Sequence, residues 1–279
     1  MKTKKNILIT GCSSGIGFDA ALTLNNRGWR VFASCRSKKD CEYLEKMGIE
    51  SFPLDLSNEA SIISAISIVK EKTSSKLDAV FNNAAFATPG AIQDLPRDAL
   101  REIFEVNVFG QFDLINRCLP LMLNAENPRI VNCSSVLGFL SLPYRGAYSA
   151  TKFALEALTD ALRRELYDNP VKIILLQPGP INTKIRQNSR KHFEKWVSWQ
   201  NSTHYKIYED IVLKRLYSEP NSNLLKNFQL HPKSVTKVLE KALNTRNPKC
   251  RYMITPQTLV AGILVSILPT KLLDWMFKI

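Results

Sequence analysis

The chain has no Cys-x-x-Cys pair and no histidine at ligand spacing, and it holds only three histidines in 279 residues. That leaves nothing from which to build a metal centre, and none is expected. Six cysteines, at 12, 35, 41, 118, 133 and 250, are scattered. They are expected to be reduced packing residues in a reducing compartment. The opening Met-Lys-Thr-Lys-Lys-Asn has no apolar signal core, so export is not expected and a cytoplasmic location is. The uncharged run 259–268 is ten residues long, short of the ~20 that cross a bilayer. No nucleic-acid motif or interleaved basic-aromatic array occurs in the first 180 residues, so no nucleic-acid partner is expected. Acids are scarce too: 25 against 38 Lys and Arg, a formal charge of +13. Beyond a solvated basic surface, such a balance suits an anionic membrane surface or an anionic ligand.

What is present is the composition of a globular protein, 45% hydrophobic and 23% charged, with enough chain for one large α/β domain or two small ones. Residues 6–10 form a short apolar run of buried-strand type, followed at once by Gly11-Cys-Ser13-Ser14-Gly15-Ile16-Gly17 and a helical stretch, 18–26. Strand, Gly-rich turn and helix in that order make a dinucleotide cradle, in which glycines let the backbone approach a pyrophosphate at the helix N-terminus. Ser13 and Ser14 can add hydroxyl donors. A second strand, 28–36, ends in Cys35-Arg36, where an NAD site usually places an acid. With a guanidinium there and no carboxylate to repel a 2′-phosphate, NADP(H) fits better than NAD(H).

The pattern continues with a helix over 38–47, a third strand within 48–56 that ends in Asp55-Leu56, and a helix to Lys72 with Ser57 as its expected N-cap. Asp55 suits either an adenine amino group or an ordinary turn. A fourth strand, 77–84, ends in Asn82-Asn83-Ala84, and a long helix over 98–124 contains Asn107 among Val106, Val108 and Phe109. Buried there, Asn107 must find hydrogen-bond partners. The fifth strand, 129–135, delivers Ser135 to the carboxyl edge of the sheet, where open α/β sheets bind ligands. Tyr148 and Lys152 are four apart at the start of a helix that has Ala154, Leu158, Ala161, Leu162 and Leu166 on one side. Residues so spaced share a helix face, and an ammonium near a phenol favours its ionised form. The sixth strand, 171–177, leads into Pro178-Gly179-Pro180-Ile181-Asn182-Thr183.

Taken together, Thr10-Gly11-x-x-x-Gly15-x-Gly17, Asp55, Asn82-Asn83-Ala84, Asn107, Ser135, Tyr148-x-x-x-Lys152 and Pro178-Gly179 with Thr183 resemble the short-chain dehydrogenase/reductase family, in its order and over residues 6–183. Ala85 stands where that family usually has glycine. Val-Phe-Ala-Ser-Cys-Arg at the second strand, Gln-Pro-Gly-Pro-Ile-Asn-Thr and Pro-Lys-Cys-Arg-Tyr-Met-Ile-Thr-Pro near the end are similar to the branch of bacterial aldehyde reductases, retinol dehydrogenases and hydroxysteroid dehydrogenases. The resemblance implies a doubly wound parallel sheet of about seven strands in the order 3-2-1-4-5-6-7. It implies Tyr148 as general acid and base, Lys152 lowering its pKa and bonding the nicotinamide ribose, Ser135 steadying the substrate oxygen, and Asn107 positioning a water. Gly11, Ser13, Ser14, Gly15, Ile16, Gly17, Arg36, Asp55, Leu56, Asn83, Ala84, Pro178, Gly179, Ile181 and Thr183 would hold the cofactor with Tyr148 and Lys152. It further implies a homo-oligomer, dimer or tetramer.

Residues 1–183 thus read as cofactor and catalytic core, 184–231 as a substrate lid and 232–279 as a last helix, strand and apolar tail. The middle segment carries Phe193, Trp196, Trp199, Tyr205, Tyr208, Tyr217 and Phe228. These aromatics either pack the segment on the body or cover an apolar carbonyl or alcohol substrate of fatty, aromatic, retinoid or steroid type. The tail, 256–279, either packs on the pocket or a subunit neighbour or lies on a membrane surface. The function expected is NADP(H)-dependent interconversion of carbonyl and alcohol, in the reducing direction. The alternatives are a catalytically silent NADP(H)-binding regulator and a membrane-surface protein.

Overall fold

In a computed structural model, residues 4–218 and 229–278 are described, so Phe228 of the lid aromatics lies outside them. Seven strands form one parallel sheet: β1 (Asn6–Thr10), β2 (Arg30–Cys35), β3 (Glu50–Pro53), β4 (Ala79–Asn82), β5 (Arg129–Cys133), β6 (Lys172–Gln177) and β7 (Arg251–Met253). Their order is β3-β2-β1-β4-β5-β6-β7, the order expected. Every residue of β1, β4 and β5 is buried, which is why those strands read as continuous apolar runs rather than alternations. Side chains nonetheless leave them in turn. Ile7 and Ile9 pack on one face with Ala20, Leu24 and Leu239, and Leu8 packs on the other with Val69 and Leu114. Pro53 is tolerated because β3 is an edge strand.

The α-helices among the described residues are α1 (Gly15–Asn26), α2 (Lys38–Lys46), α3 (Glu59–Thr73), α4 (Arg97–Phe104), α5 (Gly110–Met122), α6 (Gly146–Glu165), α7 (Ile185–Trp196), α8 (Tyr205–Ile207), α9 (Lys214–Tyr217), α10 (Lys233–Asn244), α11 (Pro256–Ile267) and α12 (Thr270–Phe277). Helix α1 starts at Gly15, a turn's length before the expected Phe18. Asn58, not Ser57, caps α3, its side chain accepting from the Ser61 N–H at 3.1 Å. Ser57 instead donates to Asp55. The long helix expected over 98–124 is α4 and α5 joined by a π-turn, Glu105–Phe109, that contains Asn107.

Helix α6 has a divided apolar stripe: Leu158 is 42% exposed and Ala161 is exposed too, while Leu162 and Leu166 are half-buried against the core. Its buried side carries Thr151, Lys152, Leu155, Glu156 and Thr159. The polar members have partners at the sheet, Asn132 for Thr159, the Cys133 carbonyl for Lys152 and Gln177 for Glu156. Of the cysteines, Cys250 is exposed, so it is not a packing residue; the other five are buried and all are free. No helix among the described residues is long and apolar enough to cross a membrane.

Candidate active site

The turn after β1 is built for close approach. A Cβ on Gly17 would sit 2.7 Å from Asn83 Nδ2 and collide with the Gly11 carbonyl, so the first turn of α1 closes only over glycine. Thr10 Oγ1 accepts the N–H groups of Asn83 and Ala84, each at 3.0 Å. Asn83 Nδ2 donates to the Thr10 and Gly11 carbonyls at 3.0 and 3.3 Å. The end of β4 is thereby stitched to the turn. Gln111 Nε2 adds a bond to the Ala84 carbonyl at 2.9 Å. Gln111 escaped the sequence reading because it lies mid-helix with no motif around it, though a buried amide one turn beyond Asn107 was the available signal.

A cavity of about 740 Å³ runs along the carboxyl edge of the sheet. Gly11, Ser13, Ser14, Gly15, Ile16, Arg36, Asp55, Leu56, Asn83 and Ala84 line one stretch, and Ser135, Tyr148, Lys152, Pro178, Gly179, Ile181 and Thr183 line the other. Gly17 and Asn107 do not line it. Gly17 supports the cradle from beneath. Asn107 accepts the Phe86 N–H at 3.1 Å and donates to the Phe86 carbonyl at 2.8 Å and to Thr151 Oγ1 at 3.2 Å. Both ends of its amide are thus engaged by protein. Asp55 Oδ1 already takes the Ser57 N–H and hydroxyl, at 2.9 and 2.7 Å. It is a turn acid that also faces the cavity. The shape suits a dinucleotide: a cradle that any Cβ would fill, a long cleft, and hydroxyl and amide donors along it.

Ser135, Tyr148 and Lys152 meet where β5 and α6 face each other. Ser135 Oγ accepts from the Leu137 N–H at 3.1 Å, which fixes the hydroxyl at the strand exit. Lys152 is 1% exposed, and its Nζ donates to the Cys133 carbonyl at 2.8 Å and lies 5.6 Å from the centroid of the Tyr148 ring. The depressed phenol pKa expected from this ammonium is absent. Burial, with the Cys133 thiol adding to it, pushes Tyr148 well above its ordinary value, while Ser135 and Arg145 pull the other way. Burial also lowers Lys152, and Cys133 and Glu156 oppose that. Desolvation of the pair outweighs their pairing.

None of the described aromatics of 184–231 lines the cavity: Phe193, Trp196, Trp199 and Tyr208 pack on the body, and Tyr205 and Tyr217 are exposed. Phe193 and Tyr208 join Phe86, Leu95 and Ile103 in a third apolar cluster. Tyr208 donates to Asp94 at 2.8 Å and accepts from the Ala91 N–H at 2.8 Å. His192 stacks on Phe86, ring centroids 3.9 Å apart, and faces Glu102 at 3.6 Å. What residues 184–231 present to the cavity is Lys184, Ile185, Arg186, Asn188, Ser189, Arg215 and Gln229, with Met276, Phe277 and Lys278 from the tail. Among the described residues, no group of three or more His, Cys, Asp and Glu is placed to hold a metal.

Comparison with known proteins agrees with this geometry. The family profile described as "short chain dehydrogenase" matches residues 5–194. The chain is 36% identical, over 97% of its length and 93% of the relative's, to the "uncharacterized oxidoreductase YbbO" of Escherichia coli K12. It is 33% identical to retinol dehydrogenase 16 of Mus musculus, covering 97% of this chain and 86% of that one. It is 30% identical to the NADPH-dependent 3-dehydrocapnine reductase of Ornithobacterium rhinotracheale, covering 97% and 95%. Among solved structures, a short chain dehydrogenase/reductase from Burkholderia phymatum in complex with NAD superposes with a TM-score of 0.79 at 26% identity, over 94% of this chain and 92% of that one.

Proposed function

The chain belongs to the short-chain dehydrogenase family, and from that premise we propose that it reduces a carbonyl to an alcohol, and runs the reverse, with NADP(H) as cofactor and Tyr148 as the proton carrier. Membership makes it an oxidoreductase of a CH–OH or carbonyl substrate with a nicotinamide nucleotide. The observation that carries the finer reading is Ser135, Tyr148 and Lys152 together on one wall of the cleft that begins at the Gly11–Gly17 cradle. The dinucleotide, when bound, supplies the hydride. Tyr148, whose pKa desolvation holds above its ordinary value, is set to donate its proton to the carbonyl oxygen. Ser135 donates a hydrogen bond to the same oxygen and stabilises the charge that develops there. Lys152, whose Nζ donates to the Cys133 carbonyl, holds a positive charge beside the phenol, would bond the nicotinamide ribose, and would stabilise the phenolate left after transfer.

Arg36, exposed at the end of β2 and lining the cleft, supports NADP(H) over NAD(H). An NADPH-dependent relative points the same way, while a neighbouring structure holds NAD. We also propose a homo-oligomer, since Phe109, Phe153 and Leu158 stand exposed on adjoining helical segments. The test of function is carbonyl-dependent oxidation of NADPH by wild type and Tyr148→Phe. Turnover should fall by roughly 10²–10⁴-fold with NADPH binding retained. If both proteins bind NADPH and neither reduces any aldehyde or ketone, the regulator reading takes its place.

A second reading concerns the tail. Helix α11 buries only Thr258 and Ala261, and turns Leu259, Val260, Ile263 and Ile267 outward at 51–68% exposure, with Trp275 of α12 at 63%. A face of that kind on a chain of net charge +13 suits peripheral contact with an anionic bilayer.

A further inference from the structure

The cleft holds cations that carbonyl reduction itself does not require. Arg145 immediately precedes α6, three residues before Tyr148; Arg186 is on α7 and Arg215 on α9, and all three line the cavity beside Tyr148. Burial lowers the Arg145 guanidinium to about 10, and the charges of Arg215 and Arg186 act in the same direction. Among the described residues neither Arg145 nor Arg215 has a side-chain hydrogen bond or a carboxylate partner, while Arg186 is anchored by Ser218 at 2.8 Å. Asp55, on the β3 side of the cleft, is the one carboxylate among the described residues that line it. Like charges gathered in a partly dry site are unfavourable by themselves, and become favourable when a bound anion meets them. Guanidinium forks match a carboxylate, sulfonate or phosphate in geometry as well as charge. Beside them lie Phe86, Leu137, Leu142, Met276 and Phe277, an apolar wall suited to a hydrocarbon chain.

We propose that Arg145, with Arg186 and Arg215, forms a headgroup site, and that the substrate is an anionic amphiphile whose reacting carbonyl lies within a few atoms of its charged group. This rests on the carbonyl-reducing role of Tyr148 and names the substrate class for it. None of the described aromatics of 184–231 lines the cleft, so they do not argue for a purely apolar substrate; Arg186 and Arg215 of that segment, with Arg145, argue for a charged one.

The competing anion is the cofactor's own phosphate, and the experiment separates the two. On the NADPH-loaded protein, dodecanoate and dodecyl phosphate are titrated against methyl dodecanoate by calorimetry, for wild type, Arg145→Gln and Arg215→Gln. NADPH affinity is measured for each. Arg215 is exposed, so its variant keeps the proposal testable even if the Arg145 variant folds poorly. Wild type should bind at least one of the anions about tenfold or more tighter than the ester, and each variant should bring that ratio toward one. The favoured anion identifies the headgroup. Equal binding of anions and ester by wild type overturns the proposal, as does a loss of NADPH affinity in the variants that matches their loss of anion binding. Turnover of 3-oxododecanoate against its methyl ester is read in parallel. If neither is reduced, the catalytic reading suffers, while the binding ratio still decides the headgroup site.

Discussion

Tyr148 shows how an i,i+4 spacing differs from an electrostatic outcome. The spacing places Lys152 one turn away, but the ammonium bonds the Cys133 carbonyl and burial governs both groups. Sequence conveys proximity; it does not convey the dielectric in which two charges meet. Glycine was easier to read, because its reason is steric. With a Cβ on Gly17 landing 2.7 Å from Asn83 Nδ2, Gly17→Ala should cost about 2 kcal/mol of stability and weaken NADPH binding, read by urea unfolding and by NADPH fluorescence titration. A variant as stable and as NADPH-competent as wild type would remove the cradle argument. Arg36 is a matter of charge alone. Arg36→Ala should weaken NADPH about tenfold or more and leave NADH nearly unchanged; equal effects on the two would take Arg36 away from the 2′-phosphate.

Among the elements, the strands were legible and two of the helices were not. Strand runs such as 6–10 and 129–133 are apolar throughout because both faces are covered. The segment 98–124 reads as one helix because its periodicity barely changes across the π-turn. Such a turn adds a residue to the helix without leaving a mark in composition, and turns of this kind gather at functional sites. Here it seats Asn107 on both backbone groups of Phe86, the residue on which His192 of the lid stacks. Asn107→Ala should orphan those groups and cost about 2–4 kcal/mol, measured by chemical denaturation, with a loss of turnover exceeding the loss of NADPH binding. A change below about 0.5 kcal/mol would show that the turn holds without its amide. Helix α6 misleads in the other direction. Leu158 and Ala161 of its apolar stripe are exposed, and polar residues of its first turns face the sheet, because Asn132, Gln177 and the Cys133 carbonyl give them partners that no local pattern reveals.

At the scale of the molecule, the strand order follows from the alternation of strands and helices together with the family resemblance. The ordered motifs brought most of the candidate site to one cleft. The arginines that line the cleft with Tyr148 were not legible, because Arg145, Arg186 and Arg215 are spread over 71 residues of sequence and meet only in the folded chain. The tail was legible as an apolar run, but not in its orientation: Thr255 and Thr258 pack under Gly179 and leave the large side chains outside. Flotation with anionic vesicles should carry the wild-type chain upward and leave a Leu259→Ser/Ile263→Ser variant behind. Equal recovery of both with the vesicles, or of neither, would count against a bilayer contact through α11.

The central claim for the cleft is that hydride reaches a carbonyl carbon while Tyr148 supplies the proton. The most direct measurement uses NADPH deuterated at the nicotinamide C4 position, with a panel of aldehydes and keto acids and mass spectrometry of the alcohols formed. Wild type should place one deuterium on the carbinol carbon of its preferred substrate, and Tyr148→Phe should bind NADPH as well but form roughly 10²-fold less product or lower still. Deuterated alcohol formed equally by both proteins, or by neither although both hold NADPH, would contradict the account.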